Sequence, residues 1–364
     1  MEIALIGDTH AGHKNDSLLF QDYFKRFYDQ VFFPELEKRS ISTIIHVGDV
    51  FDRRKYVNFH ILQRTRVDFL EKLADYDTHF LCGNHDVYFR DSNETNALRE
   101  LVYGRYSKIH IYEEPQELVI DGLKILLMPW LNPTNMDTGL SMIERSTASV
   151  LMGHLEIAGF KFDQTQVCEH GMDKNIFGKF KKVFSGHFHH ASEEGPIRYL
   201  GAPYEYTFAD LNDPKGFYIF DTDTLELEFI QNPERMFYRV IYDDREEDAA
   251  EKLLGMDFSE FEGKMVRIIV PYKNNPVLYE QWIDKLIQNN PSEWSIKEQL
   301  SLEVDGEIEE MMFEEFKVEG GQVVHGGTAE ILDKYIDALE TDVNKDRLKG
   351  VLRELLVEAT ASVS

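Results

Sequence analysis

Cysteine is scarce. Only Cys82 and Cys168 occur in 364 residues, too few for a disulfide framework or a thiolate metal cluster. Cys82 lies in an apolar run and reads as a small buried hydrophobe. Long hydrophobic runs are absent too. No stretch approaches the roughly 18 apolar residues of a membrane-spanning helix, so no membrane segment is expected. Positive charge is short, with 39 Lys and Arg against 66 Asp and Glu, for a net charge of −27. That balance excludes a broad basic surface for gripping a polyanion, although metal ions in a site would bring positive charge of their own. No basic-then-apolar leader precedes Glu2-Ile3, so secretion is not expected and a reducing cytoplasm is (a host cytoplasm, were the chain phage-encoded). Apolar residues are plentiful at 43%, with 12% aromatic, and the length implies two or three domains.

One pattern recurs along the first half of the chain. Leu81-Cys82-Gly83 ends an apolar run and is followed by Asn84, His85 and Asp86. Ile3 to Gly7 leads to Asp8 and His10, and Ile44 to Gly48 leads to Asp49. Val150 to Gly153 leads to His154, and Val183 to Gly186 leads to His187 and His189. Each time an apolar strand meets a glycine, where the chain is expected to turn sharply, and then a metal-capable side chain. Ligands of open α/β sheets gather at the carboxyl ends of strands, so the five turns are expected to converge.

Between these strands, 17–37 and 58–75 have apolar residues at helical spacing, and 95–103 reads as a shorter helix. The stretch 217–230 reads as a hairpin turning at Asp221–Thr224. Helix-linked strands followed by hairpins predict a layered α/β sandwich over residues 1–235. A small α+β unit is expected at 236–290. An acidic linker is expected at 291–327, where ten acidic residues face Lys297 and Lys317. A helical hairpin is expected at 328–364, with Leu348, Leu352 and Leu355 on its apolar stripe.

Asp8, His10, Asp49, Asn84, His154, His187 and His189 mix carboxylate, amide oxygen and imidazole without sulfur. Such a set suits Mn²⁺, Fe²⁺ or Zn²⁺. Seven donors exceed the need of one ion. Two ions about 3.5–4 Å apart would use them all, with a central Asp49 as the bridge. His85 is offered beside the ligands, placed to stabilise the transition state or to protonate a leaving oxygen. His46, within a strand, reads as core. His13 and His190 flank the site, as substrate contacts or packing. Tyr204 and Tyr206 read equally as groove or core, and Lys179, Lys181 and Lys182 as a solvated face.

The blocks Asp8-Thr9-His10, Gly48-Asp49-Val50-Phe51-Asp52, Gly83-Asn84-His85-Asp86, Gly153-His154 and Gly186-His187-Phe188-His189 resemble the motif set of the calcineurin-like metallophosphoesterases. Within them the chain resembles the Mre11/SbcD nucleases, and among those the T4-type phage branch. The resemblance implies a four-layer α/β/β/α sandwich with a small capping domain and a C-terminal helical hairpin. It implies two Mn²⁺ ions, with Mg²⁺, Fe²⁺ or Zn²⁺ as substitutes. Asp8, His10 and His189 would hold the first, Asn84, His154 and His187 the second, Asp49 would bridge, and His85 would be catalytic. It further implies double-strand exonuclease and single-strand endonuclease activity on DNA, in recombination and repair. A homodimer is implied, built on the helices near Phe59–Leu73 and Thr95–Tyr103, and a Rad50-like ATPase bound by the C-terminal hairpin. Where several members have a second catalytic histidine this chain has Asp52, so a structural Asp52–Arg53 pair is expected, with Arg53 near substrate. A phosphatase or cyclic-nucleotide phosphodiesterase on the same dimetal core is the alternative.

Overall fold

The computed structural model describes residues 1–162 and 166–298, with the backbone of short strands at 301–304, 307–310, 318–319 and 322–323. In chain order the strands are β1 (Glu2–Ile6), β2 (Thr43–His46), β3 (Asp77–Leu81), β4 (Ile109–Tyr112), β5 (Gln116–Ile120) and β6 (Leu123–Met128). There follow β7 (Val150–His154), β8 (Lys182–Gly186), β9 (Ser192–Glu194), β10 (Ile197–Tyr199), β11 (Gly216–Asp221) and β12 (Leu227–Gln231). They form two six-stranded sheets, β12-β11-β1-β2-β3-β4 and β5-β6-β7-β8-β10-β9. The inner strands run parallel, and the hairpin β11–β12 and the edge strands β5 and β9 pair antiparallel. At the hairpin, Asp221 Oδ1 accepts from the Asp223 and Thr224 amides, the side-chain bond that favours an aspartate at a turn.

Side-chain alternation sorts these strands into layers. Leu5, Ile45 and Leu81 of the first sheet and Leu127, Met152 and Phe184 of the second share one buried cluster, which lies between the sheets. Their neighbours face outward. Ala4, Ile44 and Phe80 pack with Phe20, Phe24, Phe27 and Phe69 from helices, and Leu126, Leu151 and Val183 pack with Ile143 and Phe177. This is the expected four-layer sandwich. The first helical segment runs from Leu18 to Arg39 with a π turn at Tyr28–Phe32. The turn sits just before Pro34, which has no N–H to continue the α-helical ladder.

The chain divides into two compact units. The first comprises Met1–Arg239, Asp257–Arg267 and Leu286–Trp294, and the second Val240–Met256, Ile268–Lys285 and the residues from Ser295 on. The second unit is therefore not the contiguous block 236–290, because the chain returns to the first unit twice. Within it Tyr242 and Trp282 are fully buried, with ring centroids 5.3 Å apart. Strands β13 (Phe237–Asp243), β14 (Met265–Tyr272) and β15 (Glu293–Glu298) form a three-stranded sheet. The start of the expected acidic linker is thus a strand. Trp294 and Ile296 alternate there with polar residues, a period-2 pattern that the acidic composition obscured. The expected hairpin at 328–364, with Leu348, Leu352 and Leu355, lies outside the described residues. Among the described residues no helix is long and apolar enough to cross a membrane.

Candidate metal centre

The turns after β1, β2, β3, β7 and β8 meet at one place. The Asp8 amide donates to Gly48 O at 2.9 Å and the His10 amide to Asp49 O at 3.0 Å, which binds the first two turns side by side. The Asp86 carboxylate fastens the third. Its Oδ2 accepts from the Gly83 and Asp49 amides, and its Oδ1 from those of Val50 and Phe51, at 2.9–3.1 Å. Burial and the Asp49 charge push Asp86 up to about 7, and its amide donors hold it back. Gly83 does not serve by left-handed backbone. A Cβ there would stand 2.2 Å from Asp49 Oδ1, so the turn needs glycine for close approach. Gly48 needs both, with φ +109° and a virtual Cβ 2.4 Å from His154 Nδ1.

Four of the seven proposed ligands have positive φ without being glycine: Asp8 at 53°, His10 at 40°, Asp49 at 57° and His187 at 87°. Such backbone costs on the order of 1–3 kcal/mol per residue and persists where surrounding structure enforces it, typically at functional sites.

The side chains fall into two groups around Asp49. In one, ligand atoms of Asp8, His10 and His189 lie within 4.8 Å of one another, with His10 Nε2 3.0 Å from His189 Nε2. Among the described residues Asp8 Oδ2 is buried without a hydrogen-bond partner. In the other group, Asp49, His154 and His187 are gathered within the same limit. His154 Nε2 and His187 Nδ1 each lie 2.8 Å from Asn84 Oδ1, and His154 Nε2 lies 3.3 Å from Asp49 Oδ2. The His154 Nδ1–H donates to Val47 O at 2.8 Å, so Nε2 is the nitrogen left for a cation.

The electrostatics of the set favour a bound cation. Burial alone would depress His154, yet Asp49 and Asp8 carry it up to about 9. Burial raises Asp8 well above the usual carboxylate range. It would raise Asp49 too, but His154 beside it holds that carboxyl well below. Burial also lowers His10 and His189, leaving neutral imidazoles with lone pairs to offer. Buried, oxygen- and nitrogen-bearing and free of sulfur, the set fits divalent metal ions.

His85 stands beside the ligands. Its amide donates to Asp49 Oδ1 at 2.7 Å, and its Nδ1–H to Asp52 O at 2.6 Å, which fixes the tautomer. Asp52 does not pair with Arg53. Its Oδ1 lies 3.5 Å from His10 Nδ1 and 3.3 Å from His13 Nδ1, and these two imidazoles overcome burial to hold the Asp52 carboxyl low. Arg53 instead bonds Asp16 and Asn15 at 2.9 Å, because the loop after the first turn brings those residues over it. His13 also contacts Tyr206 O, and His190 Nδ1 lies 2.9 Å from Asp213. His46 is buried behind the site, bonded to Thr9, and burial pushes it down to about 3. Tyr204 and Tyr206 are buried and bond the Thr9 and Asp8 carbonyls, so they are core rather than groove. Lys179 is held by the Glu144 and Ser146 carbonyls.

Three residues escaped sequence reasoning. Asp86 was in plain view in Gly83-Asn84-His85-Asp86 but carried no role. Trp130 packs on His187 with centroids 5.3 Å apart, and Glu156 Oε2 lies 3.7 Å from His187 Nε2. Nothing in their local sequence signals this.

The calcineurin-like phosphoesterase profile matches residues 1–191, the span that carries all five turns. The chain belongs to that family. As a calcineurin-like phosphoesterase it is a phosphodiester-hydrolysing enzyme, and its two mixed sheets are the metallophosphoesterase fold. Exonuclease subunit 1 of Enterobacteria phage T4 is 30% identical over 369 residues, covering 99% of this chain and all of the phage protein. The nuclease SbcCD subunits D of Staphylococcus saprophyticus and Staphylococcus epidermidis are 23% and 22% identical. They cover 60% and 62% of this chain and 65% and 67% of their own.

Proposed function

We propose that this phosphoesterase is a manganese-dependent DNA nuclease that works with a Rad50-like ATPase in end processing, recombination and repair. The observation that carries the reading is the similarity to the phage exonuclease subunit, which runs through the phosphoesterase domain and everything after it. A phosphatase built on the same metal centre would not require the later segments to match.

In this reading Asp8, His10 and His189 would hold one ion, Asn84, His154 and His187 would hold the other, and Asp49 would be shared between them. Bound divalent ions supply Lewis acidity to the phosphate and an acidified water nucleophile. The chain's own residues do the rest. Asp52 orients His10 through Nδ1. His85, its Nδ1–H committed to Asp52 O, keeps Nε2 for the proton that the leaving oxygen takes. Double-strand exonuclease and single-strand endonuclease activities are expected. Phe59, at the start of the helix Phe59–Thr65, and Tyr103, in the turn after the helix Ala97–Leu101, are 89% and 70% exposed and support a homodimer on this face, although Ile61, Phe69 and Leu73 of the same region pack into the protein's own core. Leu348, Leu352 and Leu355 are the expected ATPase contacts.

Labelled duplex DNA and p-nitrophenyl phosphate, each incubated with the Mn²⁺-loaded chain, test the reading. DNA cleavage that falls about 10²–10⁴-fold in His85→Ala with metal binding retained is expected, the range of a general acid. Hydrolysis of p-nitrophenyl phosphate with DNA left intact would favour the phosphatase instead.

A further inference from the structure

An open cavity of about 710 Å³ adjoins the metal centre. His154, a proposed ligand, forms part of its wall, together with Glu156 and with Trp130, the ring that packs on His187. The remaining lining is mostly apolar, including Leu131, Met136, Leu140, Met172 and Ile176, with Arg90, Asn132 and Asp173 as the polar exceptions. Hydrolysis of a phosphodiester by the ligand set needs no apolar chamber of this size. Pockets of about 300–1,000 Å³ with apolar walls and few polar groups are those that take drug-sized ligands.

Two further observations say what such a ligand would carry. The Trp130 indole N–H is buried with no acceptor among the described residues. Arg90 has no ion pair among them, and neither has Arg54, which lies close enough to feel the Arg90 charge and that of Asp49. Among the described residues Arg54 Nη1 is itself buried without a hydrogen-bond partner. In a chain of net charge −27, two neighbouring arginines near the metal centre that make no ion pair among the described residues suit a phosphate oxygen.

We propose that the cavity receives the nucleoside carried by the phosphate under attack, with its base against the Trp130 wall and Arg90 on the phosphate side. The inference rests on the reading of DNA as substrate and deepens it. A base in the cavity has left the stack, as enzymes that handle single nucleotides require, and unstacking is cheapest at a strand end or in single-stranded DNA. Aromatic walls accept any base, because every base has a π-face. The site therefore predicts preference for ends and single strands with little sequence preference.

The experiment compares two esters with the same leaving group, thymidine 5′-(p-nitrophenyl phosphate) and methyl p-nitrophenyl phosphate, on the Mn²⁺-loaded full chain. Both release p-nitrophenolate by breaking the same P–O bond, so the ratio of their kcat/KM values reads the nucleoside alone. The wild-type ratio is expected to favour the nucleoside ester by at least about tenfold, the discrimination that a hydrophobic pocket supplies. Filling the cavity from different walls, with Leu140→Trp or Ile176→Trp, is expected to lower that ratio about tenfold. An inactive fraction lowers both rates alike, so partial misfolding does not mimic the result. A wild-type ratio near one, or a ratio unmoved in both variants, overturns the proposal. Labelled duplex run in parallel separates the failures. A high, variant-sensitive ratio without DNA cleavage supports the nucleoside site and removes DNA as substrate. DNA cleavage with a flat ratio removes the nucleoside site alone.

Discussion

The two halves of the metal centre are built from similar residues and held in different ways. Around Asn84 the donors are already bonded: His154 and His187 meet Asn84 Oδ1, and His154 Nδ1 is tied to a backbone carbonyl. Around Asp8 the donors are not. Among the described residues Asp8 Oδ2 is buried without a hydrogen-bond partner, and His10 Nε2 and His189 Nε2 face each other at 3.0 Å. The first arrangement is organised before any cation arrives. The second is organised by what surrounds it, the Asp52 carboxylate near His10 and the Tyr206 ring against both imidazoles. Unpaired buried polar atoms are costly, so an ion at the Asp8 half relieves a strain that the Asn84 half does not have.

The strongest way to erase this difference is to remove the residue the halves share. Asp49→Ala is expected to weaken both ions by more than about 100-fold, beyond the 10–100-fold typical of an outer partner. Calorimetric titration showing one ion unaffected would mean that Asp49 serves only one half.

Asp52→Asn should sharpen the comparison. The amide keeps the shape of Asp52 but loses its charge toward His10. Affinity at the Asp8 half is expected to fall by about 10–100-fold, with the Asn84 half changed far less. Equal losses at both halves would show that Asp52 supports the whole loop rather than His10.

Much of this centre was legible from spacing alone. A strand, a glycine and a polar side chain, five times over, picked out the candidate ligands that the structure gathers, because the ends of parallel strands in a layered fold have to converge. The supports were not legible, since each depends on which loops touch. Asp86 fastens turns that are far apart in sequence, Asp52 reaches back to His10 and His13, and Arg53 leaves its neighbour for Asp16. The reason for Gly83 was hidden too, as proximity to Asp49 rather than a turn geometry. In the acidic segment, charge counting outweighed the alternation of Trp294 and Ile296 and concealed a strand.

Smaller per step is the effect of one unit of pH. The His154 value of about 9 stands above the ordinary 6.5, so in the metal-free chain its proton is present below about pH 9 and leaves as pH rises through it. A metal ion must displace that proton, and one on Asp8 wherever burial retains it. Apparent metal affinity is therefore expected to fall by about tenfold for each unit of pH below 9. By the same sign, the stability that the protonated His154 gives the metal-free fold is full below pH 6.5 and lost toward pH 9. Metal titrations at pH 6, 7 and 8 that superimpose would contradict the assignment.

The central claim, that two ions joined by Asp49 act together on DNA, is tested most directly by stoichiometry. Metal-free chain at a concentration well above the dissociation constants is titrated with Mn²⁺ while cleavage of labelled duplex is followed in the same samples. The account predicts little activity up to one equivalent and a rise that completes at the second. Full activity at one equivalent would contradict it.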